Sequence, residues 1–286
     1  MKISACVIAQ NEERSLGRCL QSLTFADEII VVDGGSVDNT VQVAQQYGRV
    51  VQQKFTGFTA QRNRALLEAK GDWVFFLDSD EEASPELARR LKTIAGESLN
   101  QHPNCYSIRR EEYFLGQKLN FGPGNPSHQW RFFKRAGVSF EGQVHEFPVF
   151  QGGIGILEEP IHHWPDLAID RFLVKMNHYT SLEAYDRFSQ GQRTSLAHAV
   201  FTFFSTFLKN GVRYQGFRNG KVGLVLVLLE SISRTVRHLK LWTYWQVYDG
   251  RLKVNLGFSL PAPGSVKAAS QEQLERPQWQ SPTEKI

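Results

Sequence analysis

The sequence predicts an α/β fold of the Rossmann-like type, in which helices flank a mostly parallel sheet. Two observations lead to this prediction. In residues 1–100, short apolar runs of strand-like composition alternate with stretches of helical periodicity, and this alternation is typical of β-α-β units. Polar or acidic turns also follow three of the four apolar runs, and ligands of such folds bind beyond the carboxyl ends of parallel strands.

Four strands are expected in this part of the chain. The first is a run of small and aliphatic residues that leads into a polar turn and a helix. The second ends at Asp33 before another helix start, and the last is the most apolar of the four. A helix is expected over residues 59–70. The expected strands cover residues 3–9, 28–32, 50–54 and 73–77.

A cluster of acids follows the last of these strands. It consists of Asp78, Ser79, Asp80, Glu81 and Glu82. Carboxylates this close repel one another unless a cation lies between them, and Mg²⁺ or Mn²⁺ prefers such oxygen ligands and leaves positions open for substrate phosphates. The alternative is a solvated acidic turn before a helix, because Ser84-Pro85-Glu86 is typical of a helix start.

The composition narrows the class of protein. With 41% hydrophobic and 22% charged residues, the chain has enough apolar material for a large core. Its three cysteines are widely spaced and form no C-x-x-C motif, which argues against a zinc site or a disulfide framework. The amino terminus enters a strand without the pattern of a signal peptide. We therefore expect a cytoplasmic protein.

Positive charge is concentrated in the carboxyl-terminal third. The segment from Lys209 to Lys240 contains seven basic residues and one acid, so it carries +6, whereas the rest of the chain carries −2 of the total charge of +4. We expect this segment to dock on an anionic membrane surface, and we expect that changing Arg234, Arg237 and Lys240 to Glu releases it. The alternative is a solvated face on helices that pack against their own domain.

Two apolar runs of helical spacing occur in the same third, over residues 196–208 and 225–239. Neither reaches the roughly 18 uninterrupted apolar residues of a membrane-spanning helix. Between Pro103 and Pro126 the composition is rich in Gly, Asn and aromatic residues, which is typical of long functional loops. Phe121 and Trp130 are expected either to stack on a sugar or to belong to the core.

Four motifs stand in a specific order and spacing. They are Ala9-Gln10-Asn11-Glu12, the run from Asp33 to Thr40, Gln61-Arg62-Asn63-Arg64-Ala65-Leu66, and Gly71-Asp72-Trp73 through Asp78-Ser79-Asp80-Glu81. Together they resemble the family 2 glycosyltransferases, which are inverting enzymes of the GT-A fold. Three further motifs resemble a subgroup that includes lipopolysaccharide-core β-1,4-glucosyltransferases. These are Arg131-Phe132-Phe133-Lys134, Val144-His145-Glu146 and Ile161-His162-His163-Trp164.

The resemblance implies a role for each matched residue. Asp80 and Asp78 would hold Mg²⁺ or Mn²⁺ bridging the donor phosphates, and Asp78 would also lie near the ribose. Arg62, supported by Asn63, would approach the base or the diphosphate. The family often has two adjacent acids where this chain has Asp33-Gly34, so a base contact is absent or moved to Asp33. The remaining residues implied in donor binding are Ala9, Gln10, Asn11, Glu12, Gly35, Ser36, Ser79 and Arg131.

An inverting transfer needs one general base to deprotonate the acceptor hydroxyl. Glu146 is the first candidate, His145 the second because its ordinary pKa suits the task, and Glu141 the third. The alternative for Glu146 is a structural ion pair with Arg131 or Lys134. His163 is expected mainly to pack or cap, with a contact to the metal or diphosphate as the alternative.

We therefore expect a glycosyltransferase that moves a hexose from a UDP-sugar to a lipid-linked saccharide at the inner face of the membrane, without nucleic acid as a partner. A sugar nucleotidyltransferase would need a Gly-rich loop and a lysine after the first strand, and a dinucleotide oxidoreductase would need G-x-G-x-x-G there. The sequence has neither. A non-enzymatic membrane-surface module leaves the acid cluster unexplained. The expected domains are a catalytic domain over 1–185 (halves 1–100 and 101–185), a helical extension over 186–250, and a tail over 251–286 that is disordered at its end.

Overall fold

The computed structural model describes residues 1–123, 127–142, 146–165 and 169–264. The chain divides into two compact units, Met1–Asp166 and Leu167–Ile286. The boundary expected at residue 185 lies inside helix α5 (Ile169–Ser189), whereas the units divide just after the last strand of the sheet. The two units are described in turn.

Four parallel strands form one half of the sheet in the first unit. They are β1 (Ile3–Ala9), β2 (Glu28–Asp33), β3 (Arg49–Gln52) and β4 (Trp73–Asp78), in the order β3-β2-β1-β4. The register pairs Ala9 with Asp33 and Ile8 with Asp78. The polar residues after β1, β2 and β4 therefore leave the sheet at the same edge, as the sequence predicted.

Helices cover both faces of this half. Alternate residues of β1 and β4 point into two separate clusters, so that Phe75 belongs to one and Phe76 to the other. Helix α4 begins as predicted, because the Ser84 hydroxyl accepts a hydrogen bond from the Leu87 N–H at 3.1 Å and Pro85 follows it. The helices are α1 (Leu16–Ser22), α2 (Thr40–Gln45), α3 (Phe58–Glu68) and α4 (Pro85–Gly96).

Beyond β4 the sheet becomes mixed and continues in the order β4-β8-β6-β11-β5. Strand β8 is antiparallel to β4 and to β6, β11 is parallel to β6, and β5 is antiparallel to β11. Two short pairings lie off this path, β7 with β6 and β9 with β10. The strands are β5 (Glu81–Ala83), β6 (Cys105–Phe114), β7 (Gln117–Lys118), β8 (Ser127–Lys134), β9 (Ser139–Glu141), β10 (Phe147–Val149) and β11 (Ile154–His163).

This arrangement confirms the predicted GT-A fold, with one correction. Residues 105–114 were expected in a loop but form the ten-residue strand β6. Its charged residues interrupt the apolar alternation that is typical of a strand. Ion pairs within the sheet offset the cost of placing these charges there. Arg110, for example, contacts Glu112 at 2.7 Å.

The second unit is helical, as predicted. It contains α5, α6 (Leu196–Leu208) and α7 (Gly220–Tyr248), and α7 packs against both other helices. Phe188, Tyr244 and Trp245 form its core. The start of the expected tail is ordered, since Phe258 packs on Tyr244 with ring centroids 5.6 Å apart, and the predicted disordered end lies outside the described residues. Among the helices in the described part of the chain, none combines the length and apolar content needed to cross a membrane.

Candidate active site

Asp78, the last residue of β4, is held between two buried arginines. Its Oδ1 accepts a hydrogen bond from Nη2 of Arg62 at 2.8 Å, and its two oxygens contact the two Nη atoms of Arg131. Arg62 and Arg131 are each 6% exposed. Burial raises the pKa of the Asp78 carboxyl group, but Arg131 and Arg62 outweigh burial and hold it well below its usual range. An ionised carboxylate therefore joins α3 to β8.

A second carboxylate, Glu81, lies behind this ion pair and is 1% exposed. Its Oε2 accepts from the backbone N–H of Asp78 at 3.1 Å. Its Oε1 accepts from Arg131 at 2.7 Å and from Arg110 at 3.3 Å. Sequence reasoning predicted Asp78 and Arg131 as site residues but missed Glu81 and Arg110. Glu81 is one acid in a run of several, and Arg110 belongs to no motif, so neither gave a separate signal.

Asp80 lies at the turn beyond Asp78 and contacts His163. Nε2 of His163 is 3.3 Å from Oδ2 of Asp80, and its Nδ1 is 2.6 Å from Oε2 of Glu112. Burial lowers the pKa of His163, but the contacts with Asp80 and Glu112 outweigh burial and raise it to about 9. His163 therefore links the end of β11 to the turn that carries Asp80.

Of the two predicted metal ligands, Asp80 suits a cation better than Asp78. Both oxygens of Asp78 are committed to guanidinium groups, whereas the contact between Asp80 and His163 involves Oδ2 of Asp80. Within the described residues, no three His, Cys, Asp or Glu side chains are grouped to hold a metal ion. The Asp80 carboxylate is a hard oxygen donor of the kind that binds Mg²⁺ together with substrate phosphate oxygens.

The loops after β1 and β2 are joined by residues predicted to bind the nucleoside. Asp33 is 1% exposed, and its carboxylate accepts from the N–H groups of Gly35 and Ser36 at 3.0 and 3.1 Å and from the Ser36 hydroxyl. Gly35 has a φ of 97°, which glycine adopts without strain. The Ser36 hydroxyl also accepts from the N–H of Asn11 at 2.9 Å. Asp33 thus shapes the turn, and its contact with a nucleoside stays a prediction.

Gln10 occupies the space beside Gly34, the position where the family often has an acid. Nε2 of Gln10 donates to the Gly34 carbonyl at 3.2 Å, and the Gly34 N–H donates to the Ala9 carbonyl at 2.9 Å. A Cβ added to Gly34 would lie 3.2 Å from Cβ of Gln10. Glu12 accepts from the Ser15 hydroxyl at 2.8 Å near the start of α1. A larger residue at position 34 would therefore displace Gln10.

Asn63 connects α3 to β9 and so supports its neighbour Arg62. Its Nδ2 donates to the Phe140 carbonyl at 2.8 Å, and its Oδ1 accepts from the Phe140 N–H at 2.9 Å. Ser79 is buried in the turn between the two aspartates. Asn63 adjoins Arg62 and Ser79 adjoins Asp78 in the sequence, and a contact of either residue with the donor stays a prediction.

Asp78, Glu81, Arg62 and Arg131 are called the Asp78 cluster below, and a cavity of about 280 Å³ opens beside it. Glu146 lines the cavity with Oε1 3.4 Å from Nε of Arg62. Its ion-pair partner is therefore Arg62, whereas the alternative considered for Glu146 was a pair with Arg131 or Lys134. Glu141 is exposed on β9 and is not among the lining residues, and His145 lies outside the described residues. The lining residues are Arg62, Asp78, Arg110, His128, Gln129, Trp130, Arg131, Phe140, Glu146 and Pro148.

Comparison with known proteins gives relatives along most of the chain. A lipopolysaccharide core biosynthesis glycosyltransferase, LpsC of Rhizobium meliloti, is 27% identical over 83% of this chain and 93% of its own. An uncharacterized glycosyltransferase of Rickettsia felis is 30% identical over 84% of this chain and 89% of its own. The solved structure of S. aureus TarS 1–349 in complex with UDP-GlcNAc is 16% identical, with a TM-score of 0.42 over 92% of this chain and 95% of that one.

The sequence profile of the family described as "Glycosyl transferase family 2" matches residues 4–154, which is more than half of the chain. This range contains the parallel strands, the Asp78 cluster and Glu146, so the match covers both sides of the cavity. The chain belongs to glycosyl transferase family 2 and is a glycosyltransferase.

Proposed function

We propose that the protein transfers a hexose, with inversion, from a UDP-sugar to a saccharide acceptor of the bacterial envelope such as lipopolysaccharide core. The observation that carries this proposal is the cavity in which Glu146 faces Arg62, Asp78 and Arg131. It combines buried cations for a diphosphate with a carboxylate that can take a proton. The relative from Rhizobium meliloti, named for lipopolysaccharide core biosynthesis, supports the acceptor class.

The donor diphosphate would be bound from two sides. Arg62 and Arg131 are fixed by Asp78 and Glu81, and a fixed guanidinium stabilises phosphate charge without reorganising during the reaction. Asp80 would hold Mg²⁺ or Mn²⁺, which when bound supplies charge stabilisation for the leaving nucleoside diphosphate. The nucleoside would lie against the loops of Gln10 and Ser36, with Ala9, Asn11 and Glu12 adjacent.

Glu146 would act as the general base. The acceptor oxygen forms the new bond to the anomeric carbon while the bond from that carbon to the phosphate oxygen breaks, and the hydroxyl proton passes to Glu146. The UDP leaves with the electrons of the broken bond. His145 and Glu141 remain the second and third candidates for this role.

Trp130 is the residue of the cavity best suited to an acceptor sugar. It is 44% exposed although it is large and apolar, and it lies one residue before Arg131 on β8. An indole face can stack on the apolar face of a pyranose. This contact would remove from water the apolar indole surface that is otherwise exposed. We propose that Trp130 positions the acceptor within reach of Glu146.

The proposed acceptor is lipid-linked, so we propose that the protein works at the cytoplasmic face of the membrane as a peripheral protein. Family membership sets aside a nucleotidyltransferase or a purely non-enzymatic module as the main activity. The proposal for the donor side can be tested without knowing the acceptor, because glycosyltransferases of this kind can be assayed by slow donor hydrolysis.

The experiment incubates the protein with UDP-, GDP-, ADP- and dTDP-hexoses, each with manganese or with a chelator, and measures nucleotide release. We expect release from a UDP-hexose that depends on manganese. Preference for another nucleotide would overturn the UDP assignment. Equal release in the presence of the chelator would overturn the metal assignment.

A further inference from the structure

Helix α6 and the helical turn that follows it, Lys209–Arg213, carry an apolar row that faces solvent. Leu196, Val200, Phe204, Leu208 and Val212 follow one another at intervals of four residues and are between 47% and 62% exposed. This row is called the α6 stripe below. Large apolar side chains scattered singly on a surface need no explanation, but a continuous row marks a contact surface.

The opposite face of α6 is already used within its own unit. Ala199, Thr202 and Thr206 are buried, and α6 packs against α7. The stripe is therefore not the side by which α6 joins the fold. Phe201, which is 66% exposed, widens the stripe on one side.

Cations flank the stripe at its carboxyl-terminal end. Lys209 and Arg213 directly follow Leu208 and Val212, and both are exposed, as is Lys221 at the start of α7. No Asp or Glu occurs in the sequence between Asp186 and Glu230. An apolar stripe beside basic residues, with no acid nearby, fits an anionic surface that also offers hydrocarbon.

Arg237 and Lys240, which the charge pattern also suggested, are less suitable for contacting a membrane because they have partners within the unit. Arg237 forms an ion pair with Glu183 at 2.5 Å. Lys240 donates to the Asn177 carbonyl, Asn177 Oδ1, and the Thr180 and Ser181 hydroxyls at 2.6–2.9 Å. Arg234 is exposed, but two of the three predicted docking residues hold α5 to α7. Within the segment expected to dock, Arg237 and Lys240 are therefore less available to a membrane than Lys209, Arg213 and Lys221.

We infer that the α6 stripe, with Lys209, Arg213 and Lys221, is an in-plane membrane anchor that inserts between anionic phospholipid headgroups. The apolar side chains would enter the boundary between headgroups and acyl chains, and the cations would contact lipid phosphates. The anchor deepens the proposed function by giving the peripheral location a surface. Membrane binding can be measured without donor or acceptor. A negative result would therefore remove the anchor and leave the proposed glycosyl transfer unaffected.

The test is sedimentation with vesicles of phosphatidylcholine alone and of equimolar phosphatidylcholine and phosphatidylglycerol. The wild-type protein should bind the anionic vesicles at low salt and bind the neutral ones more weakly. The variant Lys209→Glu, Arg213→Glu, Lys221→Glu should lower partitioning into anionic vesicles by at least about 100-fold, from the usual contribution of each basic residue. The variant Phe201→Ser, Phe204→Ser, Leu208→Ser should lose binding to both.

Two control variants make changes of the same kind on exposed residues of the first unit. Arg89→Glu, Arg90→Glu, Lys92→Glu places the same charge change on exposed residues of α4, and Leu67→Ser removes an exposed apolar side chain of α3. Both should sediment like the wild type, and circular dichroism together with donor hydrolysis should confirm that every variant is folded.

Two results would overturn the inference. One is a failure of the wild type to bind anionic vesicles at low salt. The other is equal loss in the α4 control and in the α6 charge variant, which would mean that total charge and not this surface decides binding. Light scattering tests whether a second copy of the chain covers the stripe instead of lipid. The wild type would then be a dimer that does not bind vesicles, and the variant at Phe201, Phe204 and Leu208 would be a monomer. That result would also overturn the inference.

Discussion

Arg131 and Asp78 form a two-point ion pair in which each Nη atom of the guanidinium contacts a different carboxylate oxygen. The same guanidinium contacts Glu81 at 2.7 Å. One cation that is 6% exposed therefore contacts two carboxylates after β4, and Arg62 and Arg110 supply the remaining positive charge. The geometry is specific to arginine, because lysine offers one point charge and cannot contact both oxygens of Asp78 in this way.

Replacing Arg131 with Ala should destabilise the fold as well as abolish activity. The change leaves Glu81 and Asp78 with fewer cations in a buried setting, which typically costs about 3–5 kcal/mol. Urea unfolding measures the loss. The control is Arg89→Ala, which breaks an exposed pair with Glu86 and should cost less than about 1 kcal/mol. Equal losses for the two variants would show that the Arg131 network adds little to stability.

Replacing Asp80 with Asn should separate metal-dependent from metal-independent donor binding. We expect manganese to strengthen UDP binding by the wild type and to have no such effect on the variant, because a neutral amide is a poor ligand for a hard cation. Calorimetry with and without manganese measures the difference. Glu82→Gln is the neighbouring control and should keep the manganese effect. A variant at Asp80 that keeps it would remove this residue from the metal site.

Replacing Trp130 with Ala should raise the KM for the acceptor and leave donor hydrolysis unchanged. The reason is that Trp130 is an exposed side chain of the cavity with no proposed role on the nucleotide. Trp130→Phe keeps an aromatic face and should show a smaller rise in KM. Steady-state kinetics with a saccharide acceptor measures both effects. A matching loss of donor hydrolysis would mean that the indole supports the nucleotide side or the fold.

His238 gives the second unit a pH-dependent stability. Burial, together with Arg237, His198 and Arg187, lowers the pKa of His238 to about 4. The unfolded chain has a histidine pKa of about 6.5, so between these values it binds a proton that the folded state lacks, and the free energy of unfolding falls as the pH drops.

The expected loss from this group is up to about 2 kcal/mol between pH 7 and pH 5, as measured by urea unfolding. His238→Gln can keep a hydrogen bond to Thr194, whose hydroxyl is 3.1 Å from Nδ1 of His238, and it should flatten the dependence. An unchanged slope in this variant would assign the acid sensitivity to other groups.

The parallel half of the sheet could be predicted because its strands are short apolar runs with turn residues at both ends. The strand at residues 105–114 could not, since Arg109, Arg110, Glu111 and Glu112 carry no apolar alternation and become tolerable through ion pairs within β6 and with partners on other strands. Glu112, for example, contacts His163 of β11 at 2.6 Å. Pairings of this kind depend on the register of distant segments.

The candidate site also has features that the sequence predicts and features that it does not. The motifs named Asp78, Arg62, Arg131 and Glu146 as site residues, and all four line one cavity. Their roles in donor binding and catalysis stay predictions. The sequence gives no sign that the oxygens of Asp78 are taken up by arginines. In the helical unit, charge alone suggested Lys240 for a surface role, but its ammonium group is bound by α5. A sequence lists charges, whereas the fold decides which of them remain available.

In the proposed mechanism, the transfer takes place in the cavity where Glu146 faces the Asp78 cluster. The most direct test compares Glu146→Gln with Glu141→Gln, two neighbouring carboxylates of which Glu146 lines the cavity. We predict that Glu146→Gln lowers kcat by about 10²–10⁴-fold, as expected for a lost general base, with the Kd for UDP nearly unchanged, and that Glu141→Gln stays close to the wild type. A normal kcat in Glu146→Gln, or a Kd for UDP that weakens in step with kcat, would contradict the account.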